Sequence, residues 1–305
     1  MKIIEKGEID MNHSPLRYPG GKSKIAPFVS LIIEKANIGE CTYIEPFAGG
    51  AGVALALLFD GVVSNVVIND YDKAIYSMWK AILNETTAFI KLVKETPLTI
   101  DEWKNQQKIY NSKNKKYSLE LGFATFYLNR TNRSGILSAG PIGGYKQDGN
   151  YLMDARYNRD SLVERIEKIA KYKSHIHLYN KDIESFITKY LPKYRGQAFV
   201  YFDPPYYNKG KELYKNFFVH KDHKRISRLI DNLDCYWMVT YDDVDEICRL
   251  YKDYECKRFD LTYSVANSGK KSEIMFLSDE SLWPSVEELK RKKIKINIRR
   301  RCEDE

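Results

Sequence analysis

The run "CTYIEPFAGGAGVALALLF" (Cys41–Phe59), followed by "NVVINDYDKAIYSMWKAIL" (Asn65–Leu83), decides the fold class. Each half sets a short apolar segment before a turn, and an amphipathic or apolar run of helical length after it. Strand–turn–helix repeated in this way is the pattern of a parallel α/β sheet. Gly49, Gly50 and Gly52 fit the first turn, and Asp70 ends the second strand. In open α/β sheets a ligand binds beyond the carboxyl ends of the strands, where glycine lets the backbone approach closely. An acid one strand later accepts hydrogen bonds from ribose hydroxyls, so the order of parts suggests a nucleoside-containing cofactor. The dinucleotide signature GxGxxG is absent, which counts against NAD, and "PGGKSK" lacks the spacing of a P-loop. A glycine turn alone serves plain strand–helix packing equally well.

Outward from this core the alternation stops and resumes. "TAFIKLVKETP", "IDEWKNQQKIYNSKNKK" and "SLELGFATFYLNRTNR" read as three consecutive helices, and the Gly/Pro-rich "SGILSAGPIGGYKQDGNYLMDARYN" as a loop or small hairpin. The strands "IHLYN", "AFVYF" and "CYWMVTY" then follow with helices between them. "ECKRFDLTYSV" and "KSEIMFLS" suit an antiparallel pair at the sheet edge. The expected organisation is a catalytic domain in two pieces, 14–85 and 159–280, around a helical insertion, 86–158. The basic segment 281–305, with "KRKKIKINIRRR", reads as a tail or solvated helix face.

The 305 residues carry a formal charge of +8, modest support for a polyanionic partner, and 23 tyrosines that suit stacking on bases. Five scattered cysteines without a CxxC pair indicate reduced thiols rather than a zinc ribbon or disulfide framework. No apolar run suits a signal peptide or membrane span, so a cytoplasmic, nucleoid-associated protein is expected.

Two further stretches carry chemistry. "RYPGGKSK" sets Gly20 and Gly21 before Lys22 at a helix start, which suits an anionic group or a solvent-facing lysine. "FVYFDPPYY" ends a strand on Asp203, with Pro204 and Pro205 fixing the backbone direction. Asp203 and the Pro204 carbonyl form a pair of acceptors able to receive both hydrogens of an exocyclic amine, and Tyr206 offers a ring face to a purine. Acceptors on those hydrogens favour a pyramidal amine with an available lone pair. The plainer reading is an Asx-type turn with Tyr206 filling core.

"RYPGGK", "EPFAGGAG", "FYLNRTNRSG" and "DPPYY", in that order from about Ser14 to Ser278, resemble the motifs of Dam-type (D12 class) DNA adenine-N6 methyltransferases. The resemblance implies a Rossmann-like S-adenosylmethionine-dependent sheet with a helical target-recognition insertion. It implies that Tyr18, Lys22, Glu45, Phe47, Gly49 and Asp70 bind the cofactor, with Asp72 a stand-in for Asp70. Asp182 falls where the family binds the cofactor's adenine amine, and Asp203 touches both the cofactor's methionine end and the target amine. Asp203, Pro204 and Tyr206 form the catalytic set. The expected reaction methylates adenine N6 in duplex DNA by base flipping and direct displacement, with no metal. Asn129, Arg130, Asn132 and Arg133 are the candidate DNA readers, since Arg suits guanine and Asn adenine, although they could equally finish a helix. The polar segment after DPPY is expected to order on DNA. Relatives of the GATC methylase carry an aromatic and "NGL" where this chain reads "NRSGIL", so the recognition sequence does not carry over. A restriction endonuclease or defence-system partner is compatible with this reading. RNA adenine or cytosine N4 methylation, and a silent DNA-binding specificity partner, are the alternatives.

Overall fold

The computed structural model describes residues 13–17, 22–112, 116–194, 196–208, 218–261 and 273–301. Tyr18, Gly20, Gly21 and most of the segment after DPPY lie outside them. Eight strands form one sheet in the order β3-β2-β1-β4-β5-β7-β6-β8. These are β1 (Thr42–Glu45), β2 (Asn65–Asn69), β3 (Ile176–Tyr179), β4 (Ala198–Phe202), β5 (Tyr236–Asp242), β6 (Lys257–Leu261), β7 (Glu273–Leu277) and β8 (Ile296–Arg300). The first five run parallel, and β7 pairs antiparallel with both β5 and β6. The chain steps outward from β1 to β3 on one side and from β4 to β5 on the other. The β1/β4 junction is therefore the topological switch point of an open α/β sheet.

Alternation along the central strands splits their side chains between two cores. Tyr43, Val66, Ile68, Phe199 and Tyr201 face one, and Ile44, Val67, Val200 and Phe202 face the other. Every residue of β4 is buried, as a strand covered on both faces requires. The first face carries α1 (Ala26–Ala36), α2 (Gly52–Phe59), α3 (Lys73–Asn84), α4 (Thr86–Glu95), α5 (Ile100–Tyr110), α6 (Leu119–Thr131) and α7 (Arg159–Lys171). Helices within 183–194, 220–231 and 245–250 cover the second.

The insertion helices α4, α5 and α6 do form, but they are not built around a core of their own. Phe89, Trp103, Phe123 and Phe126 join Trp79 and Met78 of α3 in the same apolar cluster as the sheet. Gly122 permits this: a Cβ there would lie 2.6 Å from the Ser77 carbonyl oxygen and 3.1 Å from Met78 Cα. Only a hydrogen fits between those backbones.

The basic C-terminal segment is not a tail. Its helix Val286–Arg291 docks on α1 through Lys35–Glu288, and Lys292 pairs with Glu34. The segment then adds β8 to β6 as an antiparallel edge strand, with Ile296 and Ile298 packed on the core. Arg299, Arg300 and Arg301 meet Asp260, Glu255 and Asp243. The alternation "IKINI" carries this strand, and the surrounding charge masked it. Edge strands commonly carry such charge, because it discourages pairing with other chains.

Gly122→Ala is expected to force α3 and α6 apart and to cost roughly 1–3 kcal/mol. Urea unfolding followed by circular dichroism measures it; an unchanged midpoint would show that the helices separate freely.

Candidate active site

The loops leaving the carboxyl ends of β1, β2 and β3 are tied together by Asn69, which the sequence reading did not single out. Its buried amide donates to the Pro46 (3.0 Å) and Lys181 (3.1 Å) carbonyls and accepts from Lys181 N (2.9 Å). Asn180 adds a bond to the Asp70 carbonyl at 2.7 Å. Asp70 closes the glycine turn: its Oδ2 accepts from Gly49 N (3.0 Å) and its Oδ1 from Asp72 N (2.8 Å). Asp72 caps α3 by accepting from Ala74 N, so of the two acids Asp70 is the one that contacts the turn. Each Asp70 oxygen keeps a second lone pair for a hydroxyl.

Gly49 and Ala51 both take left-handed backbone, at φ 47° each, and Trp79 Nε1 donates to the Gly49 carbonyl at 2.8 Å. Glu45, buried at the end of β1, accepts from Ala54 N (2.9 Å) and the Tyr43 hydroxyl (3.1 Å). It thereby fastens the strand to the first turn of α2. Phe47 is half-buried and edge-on to Phe218. Asp182 is exposed beyond β3, where it caps the next helix by accepting from Ser185 N at 2.9 Å. That backbone bond holds its carboxyl below the usual aspartate value.

On the other side of the switch point β4 delivers Asp203. Lys22, nearly buried, forms an ion pair with Glu273 at the start of β7, and its Nζ stands 3.6 Å from Asp203 Oδ1. Tyr201 donates to Thr240 Oγ1 (2.9 Å), which donates in turn to Asp203 Oδ1 (2.8 Å). Tyr206 donates to Glu273 Oε1 at 2.8 Å, and Lys22 Nζ lies 5.6 Å from its ring centroid. The turn after the prolines is clamped by Asp242, which accepts from Tyr207 N (2.7 Å) and Asn208 N (3.0 Å). Asp203 nonetheless keeps 26% of its side chain exposed. It is a carboxylate gripped from behind and open in front.

Lys22 thus reaches the Asp203 site rather than solvent. Burial pulls its pKa down, but the Asp203 and Glu273 charges outweigh this and hold it above the ordinary lysine value. For Asp203 burial is the largest influence and raises the pKa; Lys22 offsets it only in part. Thr240 and Glu273 lie on predicted strands, yet nothing local marks them, since their role comes from the register of β5, β7 and β4.

The proposed DNA readers separate. Asn129, Arg130 and Asn132 are buried and bonded to backbone, and they build the module instead of facing outward. Asn129 accepts from Arg17 N and donates to the Arg17 and Gly135 carbonyls at 2.7–2.8 Å. Arg130 Nε donates to the Pro15 carbonyl (2.7 Å), and burial brings its pKa down to about 9. Asn132 accepts from Trp103 Nε1 (2.7 Å) and donates to the Ile136 and Leu137 carbonyls. A helix end that approaches another chain segment must satisfy that backbone, and Asn and Arg do so here. Arg133 alone of the four is exposed.

Burial raises Glu45 to about 8 and Asp70 to about 7. Both therefore bind protons in the folded chain that the unfolded chain has already released. Stability is expected to fall as pH rises from the ordinary carboxylate range to about 8. Glu45→Gln should flatten that decline, read by urea unfolding at pH 5 and pH 8; an unchanged slope would place the titration elsewhere.

The D12 class N6 adenine-specific DNA methyltransferase family matches residues 18–265. The Type II methyltransferase M.MjaIII of Methanocaldococcus jannaschii is 26% identical over 207 residues, which cover 63% of this chain and 68% of that protein. A solved structure, the rRNA methyltransferase aviRa from Streptomyces viridochromogenes, superposes with a TM-score of 0.37 at 13% identity. It covers 92% of this chain and 95% of that one. With the family match running from the GGK motif past the DPPY motif, the chain belongs to the D12 class N6 adenine-specific DNA methyltransferases.

Proposed function

We propose that the protein transfers a methyl group from S-adenosylmethionine to adenine N6 in duplex DNA, with the target base flipped out of the helix. The observation that carries this reading is Asp203 at the switch point, gripped by Lys22 and Thr240 and open on one side. The contacts fall on Oδ1, so Oδ2 is the oxygen assigned to the target amine. There it accepts one N6 hydrogen while the Pro204 carbonyl accepts the other, and the nitrogen lone pair turns toward the methyl donor. S-adenosylmethionine bound there would supply an electrophilic methyl carbon, with the neutral thioether as leaving group. The proton displaced from N6 passes through Asp203 to solvent.

The loop residues fit that cofactor by donor and acceptor chemistry. Asp182 is an exposed carboxylate held ionised, suited to an adenine amine. Asp70 sits against the glycine turn with lone pairs for ribose hydroxyls. The Tyr206 ring, with its hydroxyl fixed on Glu273, offers a face for the flipped adenine. Flipping costs a few kcal/mol, and contacts on the insertion must repay it.

Those contacts are assigned to Arg133 and to the loop beyond it. A Cβ on Gly140 would lie 3.3 Å from the Arg133 guanidinium and 3.9 Å from the Tyr145 hydroxyl, so the two side chains are neighbours. Tyr145 and Tyr151 are 62% and 72% exposed, and rings so placed can stack on bases.

Labelled S-adenosylmethionine incubated with duplex DNA, single-stranded DNA and RNA tests the reading. Label is expected in duplex DNA as N6-methyladenine, and Asp203→Ala should lose it by at least about 100-fold with the fold intact. Label in RNA, in cytosine or in no substrate would overturn the assignment.

A further inference from the structure

Away from the switch point, the structure brings together two cysteines that the sequence separates. Cys248 lies in the helix Asp245–Leu250 and Cys256 immediately precedes β6, yet their Sγ atoms stand 3.5 Å apart. Both are half-buried, so a small reagent can approach them. Their surroundings are held firmly. Asp243 pairs with Arg301 at 2.7 Å and with Arg258; Arg301 also meets Asp245, and its N–H donates to the Cys256 carbonyl at 3.3 Å. Both anchors of the thiol pair, the helix after β5 and the start of β6, are thus tied to the same arginine. A disulfide needs its sulfurs about 2.05 Å apart, so the two Sγ atoms must close by roughly 1.5 Å from their 3.5 Å separation.

We propose that Cys248 and Cys256 form a reversible disulfide that staples the β5–β6 connection, a modification site separate from the methyl-transfer site. The chemistry is thiol–disulfide exchange with a low-molecular-weight disulfide such as glutathione disulfide. Cys248 as thiolate attacks one sulfur of the reagent and displaces a first glutathione thiolate. Cys256 loses its proton and attacks Cys248 Sγ, which displaces the second glutathione. Two thiols are oxidised, one disulfide is reduced to two thiols, and the two protons pass to the departing thiolates. The hydrogen bond from Cys256 lowers the Cys248 pKa, with the Arg301 charge assisting, while the same bond raises Cys256. Cys248 is accordingly the sulfur that attacks first. Cys41, by contrast, is buried, and burial lifts its thiol to about 11.

The test titrates the reduced, full-length protein through a series of glutathione/glutathione disulfide buffers, blocks the remaining thiols by alkylation and maps the peptides. Two thiols per chain should disappear together and a 248–256 linked peptide should appear, reversed by dithiothreitol. Cys248→Ser and Cys256→Ser should each abolish the link, whereas Cys302→Ser should retain it. The oxidised protein should also unfold a few degrees higher, as a closed loop constrains the unfolded chain. All five thiols surviving, glutathione adducts without a linked peptide, or a link from Cys256 to Cys302 or Cys235 would each overturn the site. An unchanged unfolding midpoint in the linked protein would overturn the staple.

Discussion

The structure depends on one nearly buried ammonium. Lys22 stands between Glu273 and Asp203, and so joins the segment ahead of α1, the antiparallel part of the sheet and the carboxyl end of β4. Taking such charges out of water is expensive, and an ion group of this kind is weak as a source of stability. Its value is positional. Removing Lys22 would leave the Asp203 and Glu273 carboxylates facing each other without a cation, so the ammonium is what holds the two acids in a single arrangement. The adjoining Tyr201–Thr240 chain and the Asp242 clamp on Tyr207 and Asn208 fix the same turn from two more sides. The result is a carboxylate whose direction is set before any ligand arrives, and preorganised charge of this kind is what a displacement at a weakly nucleophilic amine requires.

The insertion contributes to this arrangement indirectly. Asn129 and Arg130 grip the backbone of Pro15 and Arg17, immediately ahead of the GGK motif, from the end of α6. Because α6 packs against α3 through Gly122, and α3 follows the strand that ends at Asn69, the glycine turn and the insertion share one rigid frame. Residues that looked suited to bases are therefore what positions the insertion, and through the Ser14–Arg17 segment it braces the chain that leads to Lys22.

Much of this was legible in the sequence, and the reasons are physical. Strand–turn–helix repeats are local signals, and "AFVYFDPPYY" announces both a fully buried strand and its abrupt end. The antiparallel β6–β7 pair was readable because both runs alternate or fill with apolar residues over a short separation. Glu273, Thr240 and Asn69 were not readable, because each acts on a residue far along the chain and its local surroundings are those of an ordinary strand residue. Asn129, Arg130 and Asn132 were misread for the converse reason: the hydrogen-bonding groups that suit a base edge also suit a buried backbone, and only burial separates the two uses. For β8 the lysines and arginines concealed a period-2 apolar pattern that the core claims.

Lys22 pulls the Asp203 pKa down against the burial that raises it, and fixes the direction of its carboxylate. The pH dependence of single-turnover methyl transfer in Lys22→Met tests it most directly. Removing the cation leaves Asp203 with burial and the Glu273 charge, both of which raise its pKa. Transfer requires the carboxylate, so the acidic limb of the profile is predicted to move to higher pH than in the unaltered protein. A limb that stays in place, or moves to lower pH, would contradict the account.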